Sequence, residues 1–219
     1  MRRPVLFTLQ PMIPAAILLA TCISLCGQAP APQKLAGDIG FTFDLPPDWT
    51  VVEAKPSSPE VKTAPTQAPA TEQQKKGTAC IQVALTATRG TPSSVVVVVA
   101  LPFDCYGQMM SEQDLEGFGS GAADGLKGDF DLVNPVFGLY TRGSHSFWIE
   151  RAKGNPKGRS ETQYTVEVVC SILQRGAACW MTMAADEASL GAFERARVTL
   201  DGEAVAPLVP SSAFEKAPL

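Results

Sequence analysis

The stretch Cys170-Ser171-Ile172-Leu173-Gln174-Arg175-Gly176-Ala177-Ala178-Cys179 decides the fold. Apolar and β-prone residues lie on both arms, and Gln174-Arg175-Gly176 reads as a tight turn, with glycine free to take positive φ. Folding the chain about residues 174 and 175 sets Cys170 opposite Cys179, where a disulfide is feasible. The arms extend this hairpin to Gln163–Leu173 and Ala177–Ala184. Upstream, Val136–Tyr140 and Ser146–Arg151 read as further strands, and Lys153–Arg159 (Lys-Gly-Asn-Pro-Lys-Gly-Arg) reads as a turn. Val95–Val99, inside Ser94–Leu101, is an unbroken valine run. Such a run wants apolar contact on both faces, which predicts a central strand. Thr78–Thr88 predicts a strand with Ile81, Val83 and Leu85 on one face. Ile39–Leu45 alternates like a half-buried strand, Pro46-Pro47-Asp48 turns the chain, and Trp49–Glu53 is a second extended piece anchored by Trp49.

Two helices interrupt the strands. Ser111-Glu112-Gln113-Asp114 has a capping serine and acidic residues in the first turn. Leu115, Phe118, Ala122 and Leu126 follow at helical spacing. Gly117, Gly119, Gly121 and Gly125 make this helix intrinsically poor, at about 1 kcal/mol each against alanine, so it must depend on packing. Asp186 caps a second helix that buries Leu190 and Phe193, and Val198-Thr199-Leu200 follows as a short strand before an Asp201-Gly202 turn. Strands, a helix, more strands and a helix predict an α+β domain. It holds an antiparallel sheet of about six or seven strands packed with two main helices.

The ends carry a different signal. Met1-Arg2-Arg3-Pro4 is a short positive region, residues 12–25 are apolar, and small residues follow at Gly27-Gln28-Ala29 and Ala29-Pro30-Ala31. This is the three-part plan of an export signal, too short for the ~20 residues of a spanning helix. The expected organisation is a signal peptide at 1–29, a flexible segment at 30–37, one domain at 38–200 and an extended tail at 201–219. Residues 55–77, rich in Pro, Ser, Thr, Gln, Glu and Lys, read as a disordered insertion within the domain. A lipoprotein reading competes, because Leu19-Ala20-Thr21-Cys22 resembles a lipobox with Cys22 as the anchor. An uncleaved anchor is the third reading, and all three place the domain outside the cytoplasm. An oxidising compartment then favours pairing Cys170 with Cys179 and Cys80 with Cys105. A turn near Gly90-Thr91-Pro92 brings the strands of the second pair together. Zinc is the rival, but the cysteine spacings are wide and His145 is the single histidine. Free buried thiols are the third alternative.

No residue pattern fixes a reaction or calls for a cofactor. His145, in Ser144-His145-Ser146, reads as a surface turn residue, and no Gly-x-Ser-x-Gly elbow occurs in the domain. Glu112, Asp114, Glu116, Asp124, Asp129 and Asp131 read as solvated helix-end acids. The Gly117–Gly121 run lacks the lysine and hydroxyl of a phosphate loop. Net charge is −4, and losing Arg2 and Arg3 with the signal makes the chain more acidic, which argues against nucleic acid. Arg151, Lys153, Lys157 and Arg159 form a basic tip that could dock an acidic partner, or be a plain solvated turn flanked by Glu150 and Glu161.

Phe43-Asp44-Leu45-Pro46-Pro47-Asp48-Trp49 near the start, and a helix holding Phe193 before Val198-Thr199-Leu200 near the end, resemble the PsbP-like superfamily. The resemblance spans roughly residues 38–200 and implies an antiparallel sheet sandwiched by helices. Members of that family include extrinsic subunits of photosynthetic complexes, a nuclear import factor that binds a small GTPase, and envelope proteins, and most act by binding another protein. The shared motif is structural, so it transfers no functional residue. The cysteines and the insertion depart from the family pattern. The functional expectation is an exported, non-enzymatic binding module that contacts an envelope protein. The alternatives are a carrier that holds a small apolar ligand under the glycine-rich helix and, last, a hydrolase built on His145.

Overall fold

A computed structural model describes residues 33–34, 39–45, 48–52, 72–158 and 162–205. The signal segment, Cys22, residues 55–71 of the insertion, Arg159 and the tail from residue 206 lie outside the described residues. In chain order the elements are β1 (Gln33–Lys34), β2 (Phe41–Asp44), β3 (Thr50–Val51), α1 (Glu72–Cys80), β4 (Gln82–Arg89) and β5 (Ser94–Pro102). There follow α2 (Phe103–Tyr106), α3 (Glu112–Leu126), β6 (Phe130–Arg142), β7 (His145–Pro156), β8 (Tyr164–Ile172) and β9 (Gly176–Ala184). Last come α4 (Glu187–Glu194), β10 (Arg197–Leu200) and β11 (Glu203–Val205). Seven strands form one antiparallel sheet in the order β3-β4-β5-β9-β8-β7-β6, and a small sheet runs β1-β2-β10-β11.

The valine run sits where its composition demands. β5 lies inside the sheet between β4 and β9. Val96, Val98 and Ala100 enter a core with Phe41, Phe43, Trp180, Phe193 and Leu200, under the small sheet and α4. Val97 and Val99 turn to the other face and pack with Leu115, Trp148 and Met181 under α3. The sheet is therefore apolar on both faces, with a helix on each and the small sheet beside α4.

The β8–β9 turn closes with the Leu173 N–H donating to the Gly176 carbonyl at 2.8 Å. Hydrogen-bonded and non-bonded pairs alternate along antiparallel strands. Leu173–Gly176 is bonded, so Cys170–Cys179 is a non-bonded pair, the kind that approaches to about 4.5 Å between Cα atoms. The two are disulfide-linked with Cα atoms 4.1 Å apart. The second disulfide joins Cys80 to Cys105 at 5.6 Å. These cysteines sit in α1 and α2, just beyond the paired ends of β4 and β5, rather than in the strands themselves.

The structure corrects several boundaries. Thr78–Cys80 is helical, and α1 begins at Glu72, inside the stretch read as insertion. Gly77 lies against Tyr106, and the Cys80–Cys105 bond holds the end of the helix. Val83 and Leu85 do not share a face: a bulge between them pairs Val83 with Val99 and Leu85 with Val98, on opposite sides. β6 and β7 pair from Arg142–His145 to Phe130–Pro156 on either side of a bulge between Val133 and Val136, so residues 153–156 are strand and the turn starts at Lys157. Gln33–Lys34 pairs with β2, and Glu203–Val205 folds back on β10 through Asp201 and Gly202, both at positive φ.

Helix α3 begins with the Asp114 carboxylate accepting from the Ser111 N–H at 2.7 Å and the Ser111 hydroxyl at 2.9 Å. Its dependence on packing is concentrated at Gly119. A Cβ there would collide with the Trp148 indole, whereas Gly117, Gly121 and Gly125 face open space. Gly119→Ala should therefore destabilise the protein by about 1–3 kcal/mol through overpacking. Alanine at Gly117, Gly121 or Gly125 should stabilise it by about 0.5–1 kcal/mol. Denaturant unfolding of the four variants checks this, and equal effects at all four positions would contradict it.

Candidate functional site

Strand β6 is one edge of the large sheet, and the opposite edge, β3, is only two residues long. The alternation fixed at the β8–β9 turn carries across the sheet. Cys170 does not bond to Cys179, so it bonds across to Trp148; Trp148 is then not bonded to Leu139. The N–H and C=O groups of Phe137, Leu139 and Thr141 consequently point out of the sheet, away from β7. The two-residue Gly143-Ser144 turn agrees, since it closes on Arg142 and His145 with Gly143 at φ 62°.

The same edge is apolar. Leu139 is 56% exposed and Phe137 40%, and Val133 and Val136 are also exposed. Phe137 stacks at 6.2 Å on Trp148, beside α3. Natural edges are commonly blunted by charge, proline or bulges. Here the bulge, with Asn134 at positive φ and Pro135, interrupts pairing between Val133 and Val136. From Val136 to Thr141 there is neither a charge nor a proline.

Two carboxylates flank this stripe on the α3 side. Glu150 is the cross-strand neighbour of Phe137. Burial holds its carboxyl above the ordinary value of 4.5; the Lys127 ammonium opposes that rise and Asp124 adds to it. Glu112 accepts from the hydroxyl of Ser146, the neighbour of Thr141, at 2.6 Å.

Of the basic residues singled out in the sequence, Arg151, Lys153 and Lys157 lie among the described residues, and each side chain has its own partner. Arg151 lies on the α4 face of β7, where its guanidinium donates to Glu167 at 2.9 Å and to Glu194 at 2.8 Å, tying α4 to the sheet. Glu167 is almost fully buried, and that burial raises its pKa against the pull of Arg151. Lys153 donates to Thr165 at 2.9 Å and Lys157 to the Lys127 carbonyl at 2.5 Å.

His145 is not a surface turn residue. It opens β7 and is buried, with Glu203 of β11 close to it. Its Nε2 lies 3.6 Å from a Glu203 oxygen and, among the described residues, has no hydrogen-bond partner. Ser144 donates to that same oxygen at 2.9 Å. The order is serine–carboxylate–histidine, which gives the hydroxyl no imidazole to take its proton. The carrier reading meets a filled interface, since Trp148 occupies the space under Gly119 and packs with Leu115, Ala123 and the Cys170–Cys179 bridge. Among the described residues no group of three His, Cys, Asp or Glu side chains could hold a metal ion, and no helix is long and apolar enough to cross a membrane.

No protein-family model and no curated protein matches the chain. Among solved structures it is similar to the solution structure of cyanobacterial PsbP (CyanoP) from Synechocystis sp. PCC 6803, with a TM-score of 0.38 and 15% identity, over 77% of this chain and 88% of that one. The likeness is one of fold and brings no function with it.

The exposed apolar edge is not legible in the sequence. Val136-Phe137-Gly138-Leu139-Tyr140 is apolar on both sides of the strand, the pattern of a central strand, and only the topology places it at the rim. The Glu150 environment makes a prediction. A raised folded pKa means that stability is full below 4.5 and falls as pH rises through the folded value. Glu150→Gln should be more stable than the parent at neutral pH, with the gap closing as pH drops below 4.5. Unfolding measured across that range tests it, and a gap independent of pH would contradict it.

Proposed function

We propose that this chain is an exported, non-enzymatic binding module that contacts a partner protein in the cell envelope through the β6 edge. The observation that carries the reading is the apolar stretch from Val136 to Thr141, with Phe137 and Leu139 exposed on a strand that, among the described residues, has no outer neighbour. Exposed apolar area on a sheet edge is costly to keep in water and invites pairing, so it marks an interaction surface. Export is supported by the signal-like residues 1–29 and by two disulfides, which persist outside reducing compartments. The non-enzymatic reading is supported by the serine–carboxylate–histidine order at His145.

A photoreactive amino acid at Leu139, in protein expressed at native level in its own envelope, tests this. One reproducible adduct at position 139, absent when the same group sits at Lys153 on the α4 face, is the expected result. Adducts that are equal at both positions, or none at either, would sink the reading.

A further inference from the structure

We infer that the β6 edge takes up an extended, basic segment of another protein as an added strand, paired along Val136–Arg142. The inference rests on the binding-module reading and specifies the chemistry of the partner. Three features of the edge define what fits. The first is length: the bulge at Val133–Val136 stops regular pairing on one side and the Gly143-Ser144 turn stops it on the other. The seven residues Val136–Arg142 lie between, within the ordinary range of strand lengths.

The second is the alternation of side chains. Phe137 and Leu139 face the α3 side, while Val136, Gly138 and Tyr140 face the α4 side. An added strand with apolar residues on the α3 side would cover the Leu139 side chain and the free side of Phe137. Gly138 carries no side chain of its own on the α4 side, where the Tyr140 ring is its nearest neighbour.

The third is charge. Glu112 and Glu150 bracket the apolar stripe on the α3 side. The nearest cation, Lys127, is shared between its bond to Asp124 and its pull on Glu150, and Arg142 and Lys153 lie on the α4 side. A Lys or Arg on the added strand would sit two strand spacings, about 10 Å, from Glu150. Its aliphatic stem can lie over the Phe137 ring while its charge reaches toward the carboxylate. A second copy of this acidic chain would bring the same Glu112 and Glu150 to the α3 side and its Arg142 to the α4 side. The observations therefore favour a different, basic partner.

The probe is a short synthetic peptide of alternating valine and threonine with lysine at both ends, labelled and titrated into the full exported chain. Its control has glutamate at both ends. The lysine peptide should bind about tenfold more tightly at low salt, the ratio two exposed ion pairs produce, and the ratio should collapse at high salt. Leu139→Pro removes an outward N–H and should abolish binding; proline is tolerated where a strand's N–H faces solvent. Leu139→Lys, which leaves the backbone groups in place but adds a repelling charge, should weaken the lysine peptide selectively. Equal binding of both peptides, or binding that survives Leu139→Pro, overturns the inference. So does a dimer of the chain that Leu139→Pro dissolves, since the occupant would then be a second copy. The peptide assay needs no native partner, so it fails independently of the crosslinking result at Leu139.

Discussion

One backbone hydrogen bond, from the Leu173 N–H to the Gly176 carbonyl, sets the phase of the whole sheet. Pairs alternate between bonded and non-bonded along every antiparallel ladder, so fixing one pair fixes its neighbours and then the next strand. From that bond it follows that Cys170 and Cys179 meet closely enough to be linked. It also follows that Cys170 bonds toward Trp148, and that Trp148 turns its backbone away from Leu139. A slip of one residue at the turn would separate the cysteines and send the side chains of the slipped strand to the opposite face. The disulfide and the open edge are two readouts of one register.

The two faces of the sheet are held differently. On the α3 side the contact is steric: Trp148 fills the space that a side chain at residue 119 would need, and the helix can sit there only because that residue is glycine. On the α4 side an apolar core of Phe41, Phe43, Trp180 and Phe193 is supplemented by Arg151, which bonds both Glu167 and Glu194. Removing one member of such a buried set leaves an uncompensated charge, so its effect on stability is larger than the worth of the pair. Arg151 therefore belongs to the α4 contact.

Much of the fold is legible in the residues. The valine run declares an interior strand because it has apolar side chains on both faces. The hairpin is written in Cys170–Cys179, and the helix starts in Ser111 and Asp186. What stays hidden is of a kind that single-strand patterns do not carry. Val136–Tyr140 looks like an interior strand, but strand order places it at the edge. His145 looks like a turn residue because the β10–β11 hairpin that buries it is some sixty positions away in the chain. The bulge between Val83 and Leu85 flips a face with no proline or glycine to announce it.

The account turns on β6 being a folded strand whose outer side is open. Residue-resolved amide hydrogen exchange on the purified, disulfide-intact protein measures this directly. The account predicts slow exchange at Gly138, Tyr140 and Arg142, whose amides point toward β7, and fast exchange at Phe137, Leu139 and Thr141. Protection of Phe137, Leu139 and Thr141 in the protein alone would contradict it, because the edge would already be covered.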